Sequence, residues 1–198
     1  MFYIISDTHF NHNNICGPNG FIEGRRCFEN AKEMNEWIIK NFNAKVHNDD
    51  HTYHLGDISL NSTQEEVHLT LNRLKGSFTF ILGNHDSKGL FKYLESVNYR
   101  LPSGRMKYSF EEVGLVLKHK KRMYYLTHYP LLMGDYRPLY RNLCGHIHDE
   151  YAPQSNGLNV GIDSPELPER PFGEPIALED AFDLVERKWS LWKHNNTK

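Results

Sequence analysis

The chain has 198 residues, a length typical of one domain with its own core, so we expect a single domain over residues 1–198. Its 23 basic and 25 acidic side chains leave a net charge of −2, which argues against a strongly charged nucleic-acid or membrane-surface protein. No stretch approaches the roughly 20 apolar residues of a membrane span, and the first ten residues do not resemble a signal peptide. We therefore expect a cytoplasmic protein that has no membrane partner.

Alternating strand and helix patterns fill the first half of the chain, and the second half is mainly β. Runs of β-favouring apolar residues predict strands at residues 1–6, 52–55, 78–82, 108–112, 113–118, 123–127 and 159–162, and residues 188–192 form a possible last strand. Apolar positions three and four residues apart predict helices at residues 28–42, 63–75, 90–97 and 177–186. Trp37 is expected on the buried face of the first helix. This order predicts an α/β sandwich with sheets in the middle and helices outside.

Residues able to bind metal ions come at or soon after the ends of several predicted strands. They are Asp7-Thr8-His9, Gly56-Asp57, Gly83-Asn84-His85-Asp86, His128 and Gly145-His146-Ile147-His148. Each block alone is also compatible with an ordinary turn or a packed histidine. In α/β sheets, however, ligands collect outside the carboxyl ends of the strands, and alternate residues of an extended segment point the same way. Together the blocks predict one polar site.

The same ordered set resembles the calcineurin-like metallophosphoesterase superfamily, whose motif blocks are D-x-H, G-D, G-N-H-[DE], a lone His and G-H-x-H. The resemblance runs from Asp7 to His148. Residues 7–15 and 159–163, and the predicted helix with Met34 and Trp37, further resemble small bacterial and phage members, many of which have Gly where Asn11 stands here. The resemblance implies an α/β fold, a four-layer α/β/β/α sandwich of mixed sheets with helices outside.

The resemblance also implies two divalent metal ions. The ligands that it implies are Asp7, His9 and His148 for the first ion, Asn84, His128 and His146 for the second, and Asp57 as a bridge between them. Imidazole, carboxylate and amide donors suit Mn²⁺, Fe²⁺, Zn²⁺ or Ni²⁺. Two such ions about 3.5–4 Å apart can share a hydroxide that attacks phosphorus.

Two residues of the third block are expected to act in catalysis. His85 follows a metal ligand, Asn84, so its imidazole can face the scissile ester and stabilise phosphoryl charge or protonate the leaving oxygen. Asp86 is expected to hold the His85 ring.

Candidate substrate contacts are less sharply marked. They are Asn84, His12, Arg25, Arg26, Arg137 and Arg141, and the arginines are equally compatible with surface charge. His54 is expected to pack in the core or to orient a ligand. A metal pair of Cys16 and Cys27 with His12 matches no zinc spacing. The basic run at residues 118–122 is either a solvated hairpin turn or a nucleic-acid patch.

These observations predict a dinuclear-metal hydrolase of phosphate esters. We expect a phosphodiesterase or phosphatase that acts on a small nucleotide-like substrate through a metal-bridging hydroxide, because the short chain leaves room only for loop-sized substrate walls at residues 11–27 and 129–143. A nuclease or a nucleotide pyrophosphatase on the same site is an alternative. A non-catalytic binding module on the same fold is a further one, although relatives of that kind lack several of the ligands.

Overall fold

The computed structural model describes residues 1–25 and 27–196, and over these residues it is a mixed α/β structure with two mixed sheets. The strands are β1 (Phe2–Ile5), β2 (His51–His54), β3 (Ser77–Ile81), β4 (Tyr108–Glu111), β5 (Gly114–His119), β6 (Arg122–Thr127), β7 (Tyr140–Cys144), β8 (Gly157–Asn159) and β9 (Ile176–Ala177). The α-helices are α1 (Ala31–Lys45), α2 (Gln64–Asn72), α3 (Lys88–Ser96) and α4 (Leu178–Asn196). The loop after β1 contains the short 3₁₀ turns Asn13–Ile15 and Glu23–Arg25.

The first sheet brings the ends of its central strands together. Its order is β4-β3-β2-β1-β9, with β1 to β4 parallel and β9 antiparallel to β1. Ile5 is paired with His54, and His54 is paired with Phe80. The carboxyl ends of β1, β2 and β3 therefore lie side by side at one edge of the sheet.

The second sheet supplies a matching edge. Its order is β5-β6-β7-β8, in which β5 and β6 form an antiparallel hairpin and β6, β7 and β8 run parallel. The turn of this hairpin contains the basic run at residues 118–122, as the first of the two interpretations of that run expected. The segment after β8 meets the end of β1, where Ser6 and Gly161 form a parallel bridge. The two sheets are thereby joined beside the ends of β1 and β7.

Apolar side chains cover both faces of the first sheet. Tyr3 and Ile5 pack in a cluster with α1, α2 and α3, whereas Ile4 packs in a second cluster with β6, β7 and α4. This alternation follows from the period of two in a strand, and it explains why β1 is apolar at successive positions. In the second cluster, Phe182 and Val185 bring α4 against the sheets.

The prediction of a last strand at residues 188–192 is wrong, because these residues continue α4. Phe182, Val185 and Trp189 are buried at helical spacing, and this periodicity extends the helix past residue 186. Trp37 is also misplaced by the sequence pattern. It lies in α1 but is 45% exposed, because Met34 and Ile38 occupy the buried face.

The basic hairpin at residues 118–122 faces acidic side chains of α4. The contacts are His119–Glu179 (3.2 Å), Lys120–Asp183 (3.9 Å) and Arg122–Glu186 (2.8 Å). These acids counter the charge of the run, which favours an internally paired turn over a nucleic-acid patch.

None of the helices in residues 1–25 and 27–196 combines the length and apolar character of a bilayer span.

Candidate metal centre

Two groups of side chains within the described residues are arranged closely enough to hold metal ions. They are Asp7, His9 and His148 in the first ligand group, and Asp57, His128 and His146 in the second ligand group. In each group the candidate ligand atoms lie within 4.8 Å of one another. The polypeptide brings them together because the ends of β1, β2, β6 and β7 meet where the two sheets join.

Asp57 lies between the two ligand groups. Its Oδ2 is 3.5 Å from Nε2 of His9, in the first group, and 3.6 Å from Nε2 of His128, in the second. One carboxylate oxygen therefore faces both groups at once, which is the position that a bridging ligand requires.

Asn84 and His128 present two acceptor atoms to each other. Nδ1 of His128 donates to the Leu55 carbonyl at 2.8 Å, so Nε2 carries a lone pair in the neutral ring. Burial lowers the pKa of His128, which favours that neutral form. Oδ1 of Asn84 lies 2.8 Å from this Nε2. An imidazole nitrogen and an amide oxygen at this separation are both able to bind a cation, so the pair fits a metal ion.

The His9 side chain is buried and lacks hydrogen-bond partners among the described residues. It is 1% exposed, and within the described part of the chain neither of its ring nitrogens has a hydrogen-bond partner. Burial lowers the pKa of His9, so the ring is neutral. A buried polar group left unpaired is unfavourable, and a metal ion would satisfy it. Among the residues described, this is the clearest sign that the site fits a bound cation.

The backbone is strained at the candidate ligands. Five of the seven have left-handed φ angles, namely Asp7 (60°), His9 (47°), Asp57 (55°), His146 (72°) and His148 (44°). Each such conformation in a non-glycine residue has an energetic cost, which the surrounding structure must hold in place. These conformations direct alternate side chains of a block, such as Asp7 and His9, toward one pocket, as a preorganised site requires.

Two motif glycines are required by close approach of the ligands. A Cβ on Gly83 would lie 2.3 Å from both the backbone nitrogen and Oδ1 of Asp57. A Cβ on Gly145 would lie 2.5 Å from Oδ2 of Asp7 and 2.0 Å from Oγ of Ser6. Only glycine allows these turns to pack directly against the ligand carboxylates.

Asp163 and Arg25 support the first ligand group from behind. Nδ1 of His148 donates to Asp163 Oδ2 at 3.0 Å, and Arg25 Nη2 lies 2.5 Å from the same oxygen. Arg25 also donates to the carbonyl groups of Asp7 (2.5 Å) and Thr8 (3.2 Å). Arg25 is thus fully buried with its donors directed at protein groups, and the expectation that it contacts substrate does not fit this placement.

Charges around Asp163 favour the ionised form of its carboxylate. Burial alone would raise the pKa of Asp163, but Arg25 and His148 hold it below its usual range. Burial alone would lower the pKa of His148, and the hydrogen bond to Asp163 with the charge of Asp7 raises it. The sequence pattern ended a candidate motif region at Asp163 but gave this residue no role.

Burial dominates the electrostatics of Asp7 and His54. It raises the pKa of the Asp7 carboxyl to about 7, and a cation bound beside it would favour the ionised form. His54 donates from Nε2 to Oγ1 of Thr8 at 2.9 Å, because the Thr8 hydroxyl itself donates to Ile58. Burial lowers the pKa of His54 to about 3. His54 is therefore a packed, neutral residue that joins the first two motif blocks, in line with its expected supporting role.

Asp86 does not hold the His85 ring in the way that the sequence suggested. Its carboxylate accepts from the backbone nitrogens of Asp57 (2.8 Å), Ile58 (3.0 Å) and Gly83 (3.0 Å). These bonds join the Gly56-Asp57 turn to the Gly83 turn. The Asp86 carboxylate is thus directed at backbone groups and not at the neighbouring His85 ring. His85 is exposed, and its ring centroid is 5.3 Å from that of His9.

The remaining predicted substrate residues lie in different environments. His12 is 5% exposed, and its ring lies 5.4 Å from His9 and 6.3 Å from His85. Arg141 is fully buried, pairs with Glu186 at 2.9 Å and stacks on Trp189, so it is not available to a ligand at the surface.

Arg137 is exposed in the loop before β7, and Arg26 lies outside the described residues. Cys16 is buried and Cys27 exposed. Neither cysteine belongs to a metal-binding group found in the described part of the chain.

Comparisons with known proteins agree with this arrangement. The calcineurin-like phosphoesterase superfamily domain matches residues 1–162. An uncharacterized protein from Methanocaldococcus jannaschii is 34% identical over 138 residues, which cover 66% of this chain and 74% of that protein.

A crystal structure of a protein of unknown function from Aquifex aeolicus superposes with a TM-score of 0.65 at 22% identity. The match covers 93% of this chain and 98% of that one, and it supports the fold. The superfamily match takes in the five motif blocks and both ligand groups, and the chain belongs to the calcineurin-like phosphoesterase superfamily.

Proposed function

We propose that this protein is a dinuclear-metal phosphoesterase that hydrolyses a small, nucleotide-like phosphodiester or phosphomonoester. The observation that carries the proposal is the position of Asp57, whose Oδ2 faces His9 and His128 at 3.5 and 3.6 Å. A carboxylate placed between two ligand groups serves a pair of ions rather than one.

The residues present fit such a pair of ions. The side chains that would hold them are Asp7, His9, Asp57, Asn84, His128, His146 and His148. When bound, two divalent ions would lower the pKa of a water molecule in the site and would neutralise the charge of the phosphoryl oxygens. The nitrogen and oxygen donors suit Mn²⁺, Fe²⁺, Zn²⁺ or Ni²⁺.

His85 is proposed as the proton donor to the leaving oxygen. Its backbone nitrogen donates to Oδ1 of Asp57 at 2.9 Å, which fixes the residue beside the proposed bridge. Its side chain is exposed and its ring lies near His9, so it can reach an ester bound over the ligand groups. Asp86 acts indirectly in this proposal, because its carboxylate holds the backbone of Asp57.

His12 and Asn84 are proposed to contact the substrate. His12 is nine-tenths buried beside His9 and His85, and its Nδ1 has no hydrogen-bond partner among the described residues. Asn84 is exposed at the mouth of the second ligand group, so its amide can bind both a cation and a phosphoryl oxygen.

Hydrolysis of three substrates by the manganese-loaded protein tests the proposal. Bis-p-nitrophenyl phosphate, p-nitrophenyl phosphate and a dinucleotide pyrophosphate separate diester, monoester and pyrophosphate activities. Asp57→Ala should abolish turnover, and Asp183→Ala on the exposed face of α4 is the matched control that should retain it. Near-normal turnover by Asp57→Ala would contradict the mechanism, and inactivity of the metal-loaded wild type on all three would contradict the function.

A further inference from the structure

An exposed aromatic ring stands beside the first ligand group, and the function proposed above does not use it. Phe21 is 57% exposed, and its ring centroid lies 5.6 Å from that of His12. His12 in turn lies 5.4 Å from His9 and 6.3 Å from His85. Phe21 is therefore connected through His12 to both His9 and His85.

A second exposed ring stands beside the second ligand group. Tyr129 is 51% exposed, and its ring lies 4.6 Å from His146 and 5.1 Å from His128. Both contacts are close to perpendicular, with interplanar angles of 64° and 73°. Each ligand group thus has an aromatic surface next to it, open to solvent.

The backbone next to each ring is held by close packing or by a hydrogen bond. Gly20, just before Phe21, packs so tightly that a Cβ there would lie 2.7 Å from the Ile15 carbonyl. The hydroxyl of Thr127 donates to the Tyr129 carbonyl at 2.6 Å. An aromatic side chain on such a backbone has few rotatable bonds, so it loses little conformational entropy when a planar group stacks on it.

We infer that Phe21 and Tyr129 are stacking surfaces for planar groups on the two ester arms of a phosphodiester. The inference rests on the proposed function and narrows its substrate to a diester with an aromatic ring in each arm, as in a dinucleotide. Bases stack on aromatic side chains through their apolar faces, and the phosphate between them would lie over the ligand groups.

The position of His85 assigns the two arms. His85 protonates the leaving oxygen, so the arm stacked on Phe21 is the one released, and the arm stacked on Tyr129 stays on phosphorus. The phosphorus–oxygen bond to the released arm breaks, and its oxygen takes a proton. Water supplies the oxygen of the new phosphorus–oxygen bond, and the products are an alcohol and a phosphomonoester.

Two diesters with the same leaving group test this assignment. Bis-p-nitrophenyl phosphate has a ring in both arms, whereas methyl p-nitrophenyl phosphate has a ring only in the leaving arm. Phe21→Leu should lower kcat/KM about tenfold on both, and Tyr129→Leu should lower it about tenfold on the first alone. Phe2→Leu, at the opposite end of β1 from the ligand groups, is the control and should match the wild type. Leucine variants that match Phe2→Leu on both diesters would overturn the inference, as would a Tyr129→Leu that loses activity equally on both.

Binding separates this inference from the proposed function. Calorimetry on manganese-loaded protein with His85→Asn, which leaves both ligand groups in place, compares dithymidine monophosphate with dimethyl phosphate. The dinucleotide should bind about tenfold or more tightly, and Phe21→Leu or Tyr129→Leu should remove that advantage. If the wild type hydrolyses none of the diester, monoester and pyrophosphate substrates and the advantage persists, the proposed function fails and the stacking surfaces stand. Equal binding of the two probes alongside normal hydrolysis overturns the stacking surfaces alone.

Discussion

Asp163 accepts a hydrogen bond from Nδ1 of His148 at 3.0 Å, which leaves Nε2 of that ring as the nitrogen able to bind a metal ion. The two residues are 15 positions apart, and the same carboxylate oxygen is paired with Nη2 of Arg25 at 2.5 Å. The orientation of a proposed ligand thus depends on an ion pair that itself lies outside both ligand groups.

Asp163→Asn should weaken metal binding about 10- to 100-fold, because the amide supports the His148 ring less strongly than the carboxylate does. It should also lower the free energy of unfolding by about 3–5 kcal/mol, since the buried Arg25 loses its counter-charge. Calorimetric Mn²⁺ titration and urea unfolding measure the two effects.

Glu36→Gln, which breaks an exposed ion pair with Arg73, is the control and should change stability by no more than about 1 kcal/mol. Wild-type Mn²⁺ affinity in Asp163→Asn would show that Asp163 does not support a metal ligand.

Gly83→Ala should lose metal binding and stability together. The added Cβ would meet the backbone and carboxylate of Asp57 at 2.3 Å, so the turn or the proposed bridge must move. Gly24→Ala is the matched control, because a Cβ there meets no atom within 4 Å. Metal stoichiometry and thermal unfolding of the two variants check this, and a Gly83→Ala protein that behaves like Gly24→Ala would refute the close approach.

Removal of bound metal should destabilise the protein. Without cations the buried ligands keep unpaired nitrogens and neighbouring carboxylates, and a ligand that binds only the folded state at about 100 times its Kd adds about 2.7 kcal/mol. The midpoint of thermal unfolding should therefore rise with added Mn²⁺ and fall with chelator. Asp57→Ala should show a much smaller rise, and an unfolding midpoint that ignores Mn²⁺ in the wild type would count against a metal site.

The buried Lys107 should make stability rise at alkaline pH. Its Nζ donates to the carbonyl groups of Leu74 (2.5 Å) and Gly76 (2.7 Å), and burial lowers its pKa from 10.5 to about 8. As the pH rises, the folded state releases this proton before the unfolded state does. The free-energy cost of burying the charged amine is therefore present in full below pH 8, and it decreases between pH 8 and 10.5.

Urea unfolding of the wild type and of Lys107→Met over that range isolates the effect. The unfolding free energy of the wild type minus that of Lys107→Met should increase as the pH rises from 8 to 10.5, with a slope approaching about 1.4 kcal/mol per pH unit. Parallel curves for the two proteins would show that Lys107 is not responsible.

The sequence predicted the arrangement of the site better than it predicted its support. Asp7, Asp57 and His128 each come just after a strand, so the sheet edge that collects them follows from local patterns. The contact between Arg25 and Asp163 joins positions 138 apart, and no local pattern encodes it.

The error in the predicted secondary structure also arises from contacts between residues that are distant in the sequence. The segment that includes Trp189 has strand-favouring residues, but packing of its buried face makes it helical. Phe21 and Tyr129 lie in the two loops predicted as substrate walls, but neither residue was singled out, because an exposed aromatic residue gains a role only from its neighbours in the fold.

Electron paramagnetic resonance of the manganese-loaded protein, with metal content measured on the same sample, is the most direct test of the account. The two ligand groups, with Asp57 between them, should bind two Mn²⁺ ions per chain, and the bridged pair should give an exchange-coupled spectrum. Asp57→Ala should remove the coupling. An uncoupled spectrum at full loading, or fewer than two bound ions in the wild type, would contradict a centre bridged by this carboxylate.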